Sequence, residues 1–207
     1  MKSDAKTHWE DVYRTKSAEQ VSWYRAHLEV SFELLTKGSL NAQSRVIDVG
    51  GGASTLVDDL LAFGVRAVTV VDLSAASLAV ARKRLGEKAK RVSWIVADVT
   101  RLEAAESSFD LWHDRAALHF LVDPLSAEAY VRVATRAIAP GGYAVIGCFA
   151  ADGPKRCSSL PVIGRDPEGI AALFGAGFSL VESRREIHHT PSGHTQPFVY
   201  GLLRKTT

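Results

Sequence analysis

Residues able to do chemistry fall into two groups in this 207-residue chain. The first is a series of three aspartates, Asp48, Asp72 and Asp98, each at or near the end of an apolar run. A carboxylate accepts hydrogen bonds and favours a cation beside it. Two residues after Asp48 begins the run Gly50, Gly51 and Gly52. Glycines let the backbone turn sharply and let a ligand approach main-chain atoms closely. The second group is the run Trp112-His113-Asp114-Arg115-Ala116-Ala117-Leu118-His119-Phe120. Asp114, His113 and His119 are candidates to take a proton from a substrate. Arg115 stays charged at any working pH and can favour the ionised form of an acidic group. Each also has a plainer reading, with Asp114 and Arg115 as a structural pair and His119 as a packed core residue.

The elements that must hold these groups alternate. Residues 45–49 read as an apolar strand, and a helix follows over 54–63, with Leu56, Val57, Leu60 and Leu61 on one face and Gly64 at its end. A second strand, 67–71, is nearly all apolar, as a strand buried on both faces should be. Ser74 suits the cap of a helix carrying Leu78, Ala81 and Leu85. A third strand is expected at 91–96 and a fourth at 109–112, running on into 113–115. A helix at 125–138, a Pro140-Gly141-Gly142 turn and a strand at 143–149 come next. This alternation predicts an α/β fold, a parallel doubly wound sheet. Ligands bind such sheets outside the carboxyl ends of the strands, where the three aspartates stand. Residues 150–166 read as a loop and 167–175 as a helix. The runs 178–187 and 197–203, around Thr190-Pro191-Ser192-Gly193, read as a closing antiparallel hairpin.

The turn selects the ligand. It reads Asp-x-Gly-x-Gly, with Thr55 where a dinucleotide fingerprint needs its third glycine, and it lacks the Gly-Lys-Ser/Thr of a phosphate loop. A carboxylate just before the turn repels phosphate and suits an ammonium group. Asp72, with Leu73 beside it, is placed to accept from two ribose hydroxyls. Asp98 can accept from an adenine amino group, with the backbone of Val99 nearby. Together the three aspartates match an adenosine carrying an amino acid. Residues 5–37 read as two or three helical pieces bearing Trp9, Tyr13 and Trp23, which either form a lid over the site or are ordinary core.

The hydrophobic fraction of 46% and charged fraction of 23% predict a packed core in one domain, residues 1–207. The net charge of +2 is too small to argue for a nucleic-acid partner. Met1 to Glu10 is polar and does not read as a secretory signal, and no run approaches the roughly 20 apolar residues of a membrane span. Cys148 and Cys157 make no disulfide framework, so a cytoplasmic protein without membrane association is expected. His188, His189 and His194 lie in the same final segment but show no metal-ligand spacing, and no metal is expected.

Four stretches, Val-Ile-Asp-Val-Gly-Gly-Gly, Val-Val-Asp-Leu-Ser, Ala-Asp-Val-Thr and Ile-Ala-Pro-Gly-Gly, resemble the class I S-adenosylmethionine (SAM) methyltransferases over about residues 40–205. The resemblance implies a three-layer Rossmann-like sheet of seven strands, order 3-2-1-4-5-7-6, the seventh antiparallel. It implies SAM as cofactor, bound by Asp48, Gly50, Gly51, Gly52, Asp72, Leu73, Asp98, Val99 and His113 under a helical lid, residues 1–40, that supplies Trp9, Tyr13 and Trp23. Asp114, Arg115 and His119 then face the methyl group as the catalytic candidates. The Asp-Arg-Ala-Ala-Leu run looks like the thiopurine S-methyltransferase branch, and also like the Asp-Lys-Gly-x-Leu run of some protein-lysine methyltransferases. The expected acceptor is a small molecule, possibly a thiol. The alternatives are a protein lysine, or a SAM-binding module without catalysis. A monomer or weak dimer is expected.

Overall fold

The computed structural model describes residues 2–206, with side chains from Ala5 onward. Helix α1 (Lys2–Thr15), a single turn at 18–20 and α2 (Glu29–Lys37) precede the sheet. The order then runs β1 (Arg45–Val49), α3 (Leu56–Phe63), β2 (Ala67–Asp72), α4 (Ala75–Leu85), β3 (Val92–Val96) and β4 (Phe109–Arg115). It continues with α5 (Pro124–Ala137), β5 (Ile138–Phe149), β6 (Arg156–Cys157), β7 (Leu160–Pro161), α6 (Pro167–Phe174), β8 (Phe178–His189) and β9 (Thr195–Lys205).

Side-chain caps place the helices, the expected one at Ser74 among them. The Ser74 side chain accepts from Ser77 N at the start of α4. Asp123 and Asp166 do the same for α5 and α6, each with proline at the first helical position. Gly64 ends α3 with φ +100°, where a side chain would be strained.

The sheet runs β3-β2-β1-β4-β5-β9-β8. Strands β1 to β5 pair in parallel, and β9 pairs antiparallel with both of its neighbours. With the separate β6–β7 hairpin set aside, this is the predicted order 3-2-1-4-5-7-6. Pro140-Gly141-Gly142 departs from expectation. These residues form an irregularity inside β5 rather than a turn before it, because the register to β4 shifts between Phe109 and Leu111. A Cβ at Gly142 would stand 2.7 Å from the Asp110 carbonyl. Only glycine lets the two strands come so close.

Side chains alternate across a strand, so the sheet has two faces. On one, Val46, Val70, Leu111, Val145 and Leu202 pack with α2, α3 and α4. On the other, Ile47, Trp112, Ile146 and Leu203 pack with α5 and α6. Among the described residues no helix is long and apolar enough to cross a membrane.

Candidate active site

A cavity of about 300 Å³ opens beyond the carboxyl ends of β1, β2 and β4. One wall is Gly50, Asp72, Leu73, Asp98 and Val99. The roof is Trp9, Tyr13 and Trp23 with Phe120, and Arg115, Cys157, Leu160 and Pro161 complete the lining. A smaller cavity of about 40 Å³ continues beneath the glycine turn; Tyr13, Trp23, Gly50 and Arg115 line both, while Asp48, Gly51, Arg25 and Thr55 line only the smaller.

The glycine turn works by omission. Gly50 has φ +65°, and a Cβ there would meet Ala117 Cβ at 2.7 Å. A Cβ at Gly52 would lie 2.6 Å from Asp72 Oδ2. Asp72 Oδ1 accepts from Ser74 N at 2.8 Å, which fixes the carboxylate at the wall. Burial pushes the Asp72 carboxyl up to about 6, against the opposing pull of its Ser74, Ser77 and Gly52 donors. Asp98 Oδ1 accepts from Thr100 N and Oγ1 at 2.9 and 2.7 Å.

Asp48 lies under the turn. Its Oδ1 is 2.7 Å from His113 Nδ1, while its buried Oδ2 meets no partner among the described residues. An orphaned buried carboxylate oxygen is expensive unless a donor or cation reaches it. His113 does not line the main cavity. Its Nδ1 faces Asp48 and its Nε2 faces Ser31 Oγ of α2 at 2.9 Å. Both nitrogens are thus engaged in a buried bridge from β1 through β4 to α2, and the ring lines the smaller cavity beside Asp48.

Sequence order misleads most at Asp114. Strand β4 runs on through Arg115, so Asp114 and Arg115 point to opposite faces of the sheet. Asp114 is fully buried on the α5 face, where it accepts from Ala117 N at 2.8 Å, Leu118 N at 3.1 Å and Tyr130 OH at 2.8 Å. Burial pushes its carboxyl up to about 6. It pins the turn after β4 and does not face the cleft, so it is neither a base nor the partner of Arg115. His119 is also fully buried, between Phe120 and Phe149 at 4.4 and 4.7 Å. Burial, aided by Arg115 and Arg165, holds its pKa down at about 3. It too lies away from the cavity lining.

Arg115 does face the site. Its Nε donates to Tyr200 OH at 2.9 Å and its Nη1 to the Trp23 carbonyl at 3.1 Å. The guanidinium stacks 4.3 Å over Phe198. Its Nη2 is buried with no partner among the described residues. Trp9 meets Trp23 and Phe120 edge-on at 5.6 and 5.1 Å, and Trp23 Nε1 donates to Tyr13 OH at 3.2 Å. Helix α1 is held in place by Glu10, whose carboxylate accepts from Ala75 N at 2.6 Å at the positive end of α4. Residue pattern alone missed Glu10, Tyr200 and the hairpin residues Leu160 and Pro161. All four look like ordinary surface or core in sequence.

A family model described as "Methyltransferase domain" matches residues 46–142, the segment that contains the glycine turn and all three aspartates. The 1,6-didemethyltoxoflavin-N1-methyltransferase of Burkholderia thailandensis, solved with 1,6-didemethyltoxoflavin and S-adenosylhomocysteine bound, is 25% identical with a TM-score of 0.69; the match covers 99% of this chain and 85% of that one. The chain carries a methyltransferase domain over residues 46–142 and has the class I SAM-dependent methyltransferase fold. A structure from work on the conversion of a disulfide bond into a thioacetal group in echinomycin biosynthesis shares the fold at TM-score 0.79 and 22% identity, covering 98% of this methyltransferase and 92% of that chain. The mouse eEF1A lysine and N-terminal methyltransferase is 25% identical over 111 residues, which are 54% of this chain and 16% of that protein's length.

The cavity of this methyltransferase fits SAM in chemistry. The cofactor combines hydroxyl and amino donors with an ammonium tail. The walls offer the Asp72 carboxylate, Asp98 and the orphaned Asp48 Oδ2. Among the described residues no three His, Cys, Asp or Glu side chains gather in a way that holds a metal ion.

The buried His119 makes stability pH-dependent. Its folded pKa, about 3, lies below the ordinary histidine value of 6.5, so the unfolded chain binds the extra proton between those values. His119 therefore withdraws about 1.4 kcal/mol per pH unit as pH falls below 6.5. Asp72 and Asp114 act oppositely: with folded pKa values near 6, their contribution is full below about 3.8 and is lost as pH rises through 6. Replacing His119 with Gln should remove only the first effect. Urea unfolding at pH 7.5 and 5.5 should show the variant gaining about 1.4 kcal/mol on the wild type over that interval. An unchanged gap would show that His119 is charged or exposed in the folded protein.

Proposed function

We propose that this methyltransferase transfers the methyl group of SAM to a small molecule whose attacking atom arrives without a proton, with a thiolate as the first candidate. The observation that carries this is the Arg115 guanidinium in the cavity lining, with its buried Nη2 uncommitted among the described residues. Of the described side chains lining the cavity, the ionisable ones are Asp72, Asp98, Tyr13, Arg115 and Cys157. Asp72 takes the ribose hydroxyls and Asp98, beside Val99, the adenine. Burial raises the Tyr13 phenol and pushes the Cys157 thiol up to about 11. No group is then left at the acceptor end to serve as a base near neutral pH. A lone pair that is already free needs none, and a guanidinium favours the ionised form of an acidic acceptor.

The remaining roles follow the same geometry. Asp48 Oδ2 and the smaller cavity take the ammonium end of the cofactor, and Gly50, Gly51, Gly52 and Leu73 shape its bed. Trp9, Tyr13 and Trp23 lie over the sulfonium, whose positive charge suits aromatic faces. Residues 1–40 act as the lid of a single domain, residues 1–207. The relative from Burkholderia thailandensis supports the reading, since its bound partner is itself a small molecule. Methyl transfer is an in-line displacement, and alignment in a closed cleft supplies most of the gain.

The lysine reading is favoured by one finding, the similarity to the mouse eEF1A lysine and N-terminal methyltransferase. A lysine ammonium would have to lose a proton beside Arg115 with no base at hand. A screen of aromatic thiols, phenols, amines and lysine peptides with labelled SAM separates the two. Label in peptides alone would reject the small-acceptor reading, and cofactor binding with no transfer to any class would leave a binding module.

Cofactor binding gives a separate check. Ribose hydroxyls donate to the ionised form of Asp72, so affinity should fall as pH drops through about 6. Calorimetry with S-adenosylhomocysteine should show binding up to about tenfold weaker at pH 5 than at pH 7. Asp72→Ala should weaken it about 10- to 100-fold at pH 7 and flatten the pH dependence. Wild-type affinity in that variant would remove Asp72 from the site.

A further inference from the structure

Arg115 reaches the surface through a chain of side chains that crosses three strands. In register, Arg115 stands beside Gly147 of β5, Gly147 beside Tyr200 of β9, and Tyr200 beside Arg184 of β8. Gly147 makes the crossing possible, because a Cβ there would meet the Tyr200 ring at 2.6 Å. The ring lies over the bare backbone and its hydroxyl receives Arg115 Nε at 2.9 Å. That hydroxyl can accept from arginine because it gives its own proton to Glu186 Oε2 at 2.6 Å. Glu186 Oε1 in turn lies 3.3 Å from Arg25 Nη1, and Arg25 Nη2 lies 2.6 Å from Glu29 at the surface. Diagonal neighbours on one sheet face are within reach of long side chains, which is how Glu186 and Tyr200 meet.

Resting on the reading of Arg115 as the acceptor's partner, we infer that Glu186, acting through Tyr200, is the positioning residue that aims the guanidinium and sets how strongly it favours an acceptor anion. A carboxylate in direct contact would pair with Arg115 and cancel its charge. A neutral hydroxyl between them holds the guanidinium in place and leaves the charge largely uncompensated at the cavity. Nε and Nη1 are occupied by Tyr200 and Trp23, and Phe198 fixes the plane, so Nη2 is the donor left for the acceptor. The other titratable groups around Arg115 are Cys157 on the hairpin, His188 on β8, Tyr13 on α1 and His119, which burial keeps neutral. Burial holds Cys157 and Tyr13 protonated near neutral pH and His188 neutral.

Thiophenol is the probe, because its thiolate has its own ultraviolet band. Its ionisation is titrated when bound to the full-length protein with S-adenosylhomocysteine, where no transfer can occur, and turnover with SAM is measured in parallel. Wild type should bind thiophenol with a pKa below its value in water. Glu186→Gln keeps the shape and a hydroxyl partner but removes a negative charge, so the bound ionisation constant should rise about three- to tenfold. Tyr200→Phe keeps the ring but frees Nε, so kcat should fall about tenfold or more, with a smaller change in KM. Arg115→Ala should raise the bound pKa. If it raises the pKa while Glu186→Gln and Tyr200→Phe both match wild type, the relay is overturned and the Arg115 reading stands. If thiophenol ionises no more readily in wild type than in water, the acceptor reading falls and the relay with it.

Discussion

Arg115→Ala should lower kcat/KM for a thiol acceptor about 10- to 100-fold at pH 7, the loss expected when a charged hydrogen bond is removed. Among the described residues its hydrogen bonds and ring contact are with Tyr200, the Trp23 carbonyl and Phe198, none of them a rung of the sheet's backbone ladder, so the sheet should fold without it. Raising the pH should partly restore the rate. The solvent then ionises the thiol in place of the guanidinium, and the deficit shrinks as pH passes the acceptor's own pKa. For a lysine acceptor kcat/KM should be unchanged or higher, because the substitution removes a cation that repels the incoming ammonium. Measured pH–rate profiles of wild type and variant, with S-adenosylhomocysteine affinity determined separately, distinguish these outcomes. An unchanged rate on every thiol tested would eliminate thiols as the acceptor class.

Removing residues 1–25 should reduce turnover at least 100-fold while far-ultraviolet circular dichroism still reports a folded sheet. Helix α1 and the segment after it carry Trp9, Tyr13 and Trp23, three of the four aromatic residues over the cavity. Their loss opens the cleft to water and takes away the Trp23 carbonyl that holds Arg115 Nη1. Alignment of two reactants is worth roughly 7 to 11 kcal/mol at best, so losing even part of it is a large effect. The sheet should survive because its two packed faces are built almost wholly from residues after position 28. The truncation does leave the buried His188 without the Ser22 carbonyl that its Nε2 contacts at 2.7 Å, so some stability should be lost as well. Activity retained at the wild-type level would mean that the aromatic cluster is core packing and not a lid. A milder variant, Glu10→Gln, should leave the fold unchanged and loosen only the latch of α1 on α4, giving a smaller loss of cofactor affinity.

Much of the fold was legible because its signals are local. Apolar runs of strand length, glycine and proline punctuation, and Ser74 as a cap mark where elements begin, and alternation of strand with helix implies a parallel sheet. The three aspartates were legible for the same reason, since each follows a strand and the carboxyl ends of parallel strands share one edge. Trp9, Tyr13 and Trp23 could be named but not placed. Whether aromatics pack inward or roof a cavity depends on partners such as Phe120, more than 90 residues away.

What sequence alone determined about this protein is its alternation of strands and helices, the class of its cofactor and the row of carboxylates along one edge, with the strand order implied only by the family resemblance. Tertiary structure alone decided which neighbours in sequence are neighbours in chemistry. Asp114 and Arg115 are adjacent, yet strand geometry sends one under α5 to hold a turn and the other into the cleft. His113 and His119 flank them and are both withdrawn, one into a bridge from Asp48 to Ser31, the other between two phenylalanines. The partners that Arg115 does have, Trp23 and Tyr200, stand 92 and 85 residues away in sequence. Tyr200 reaches it only because Gly147 has no side chain in between. The physical reason is that a two-residue period settles which face a side chain takes only once the strand's true end is known, and that end is set by pairing with β1 and β5.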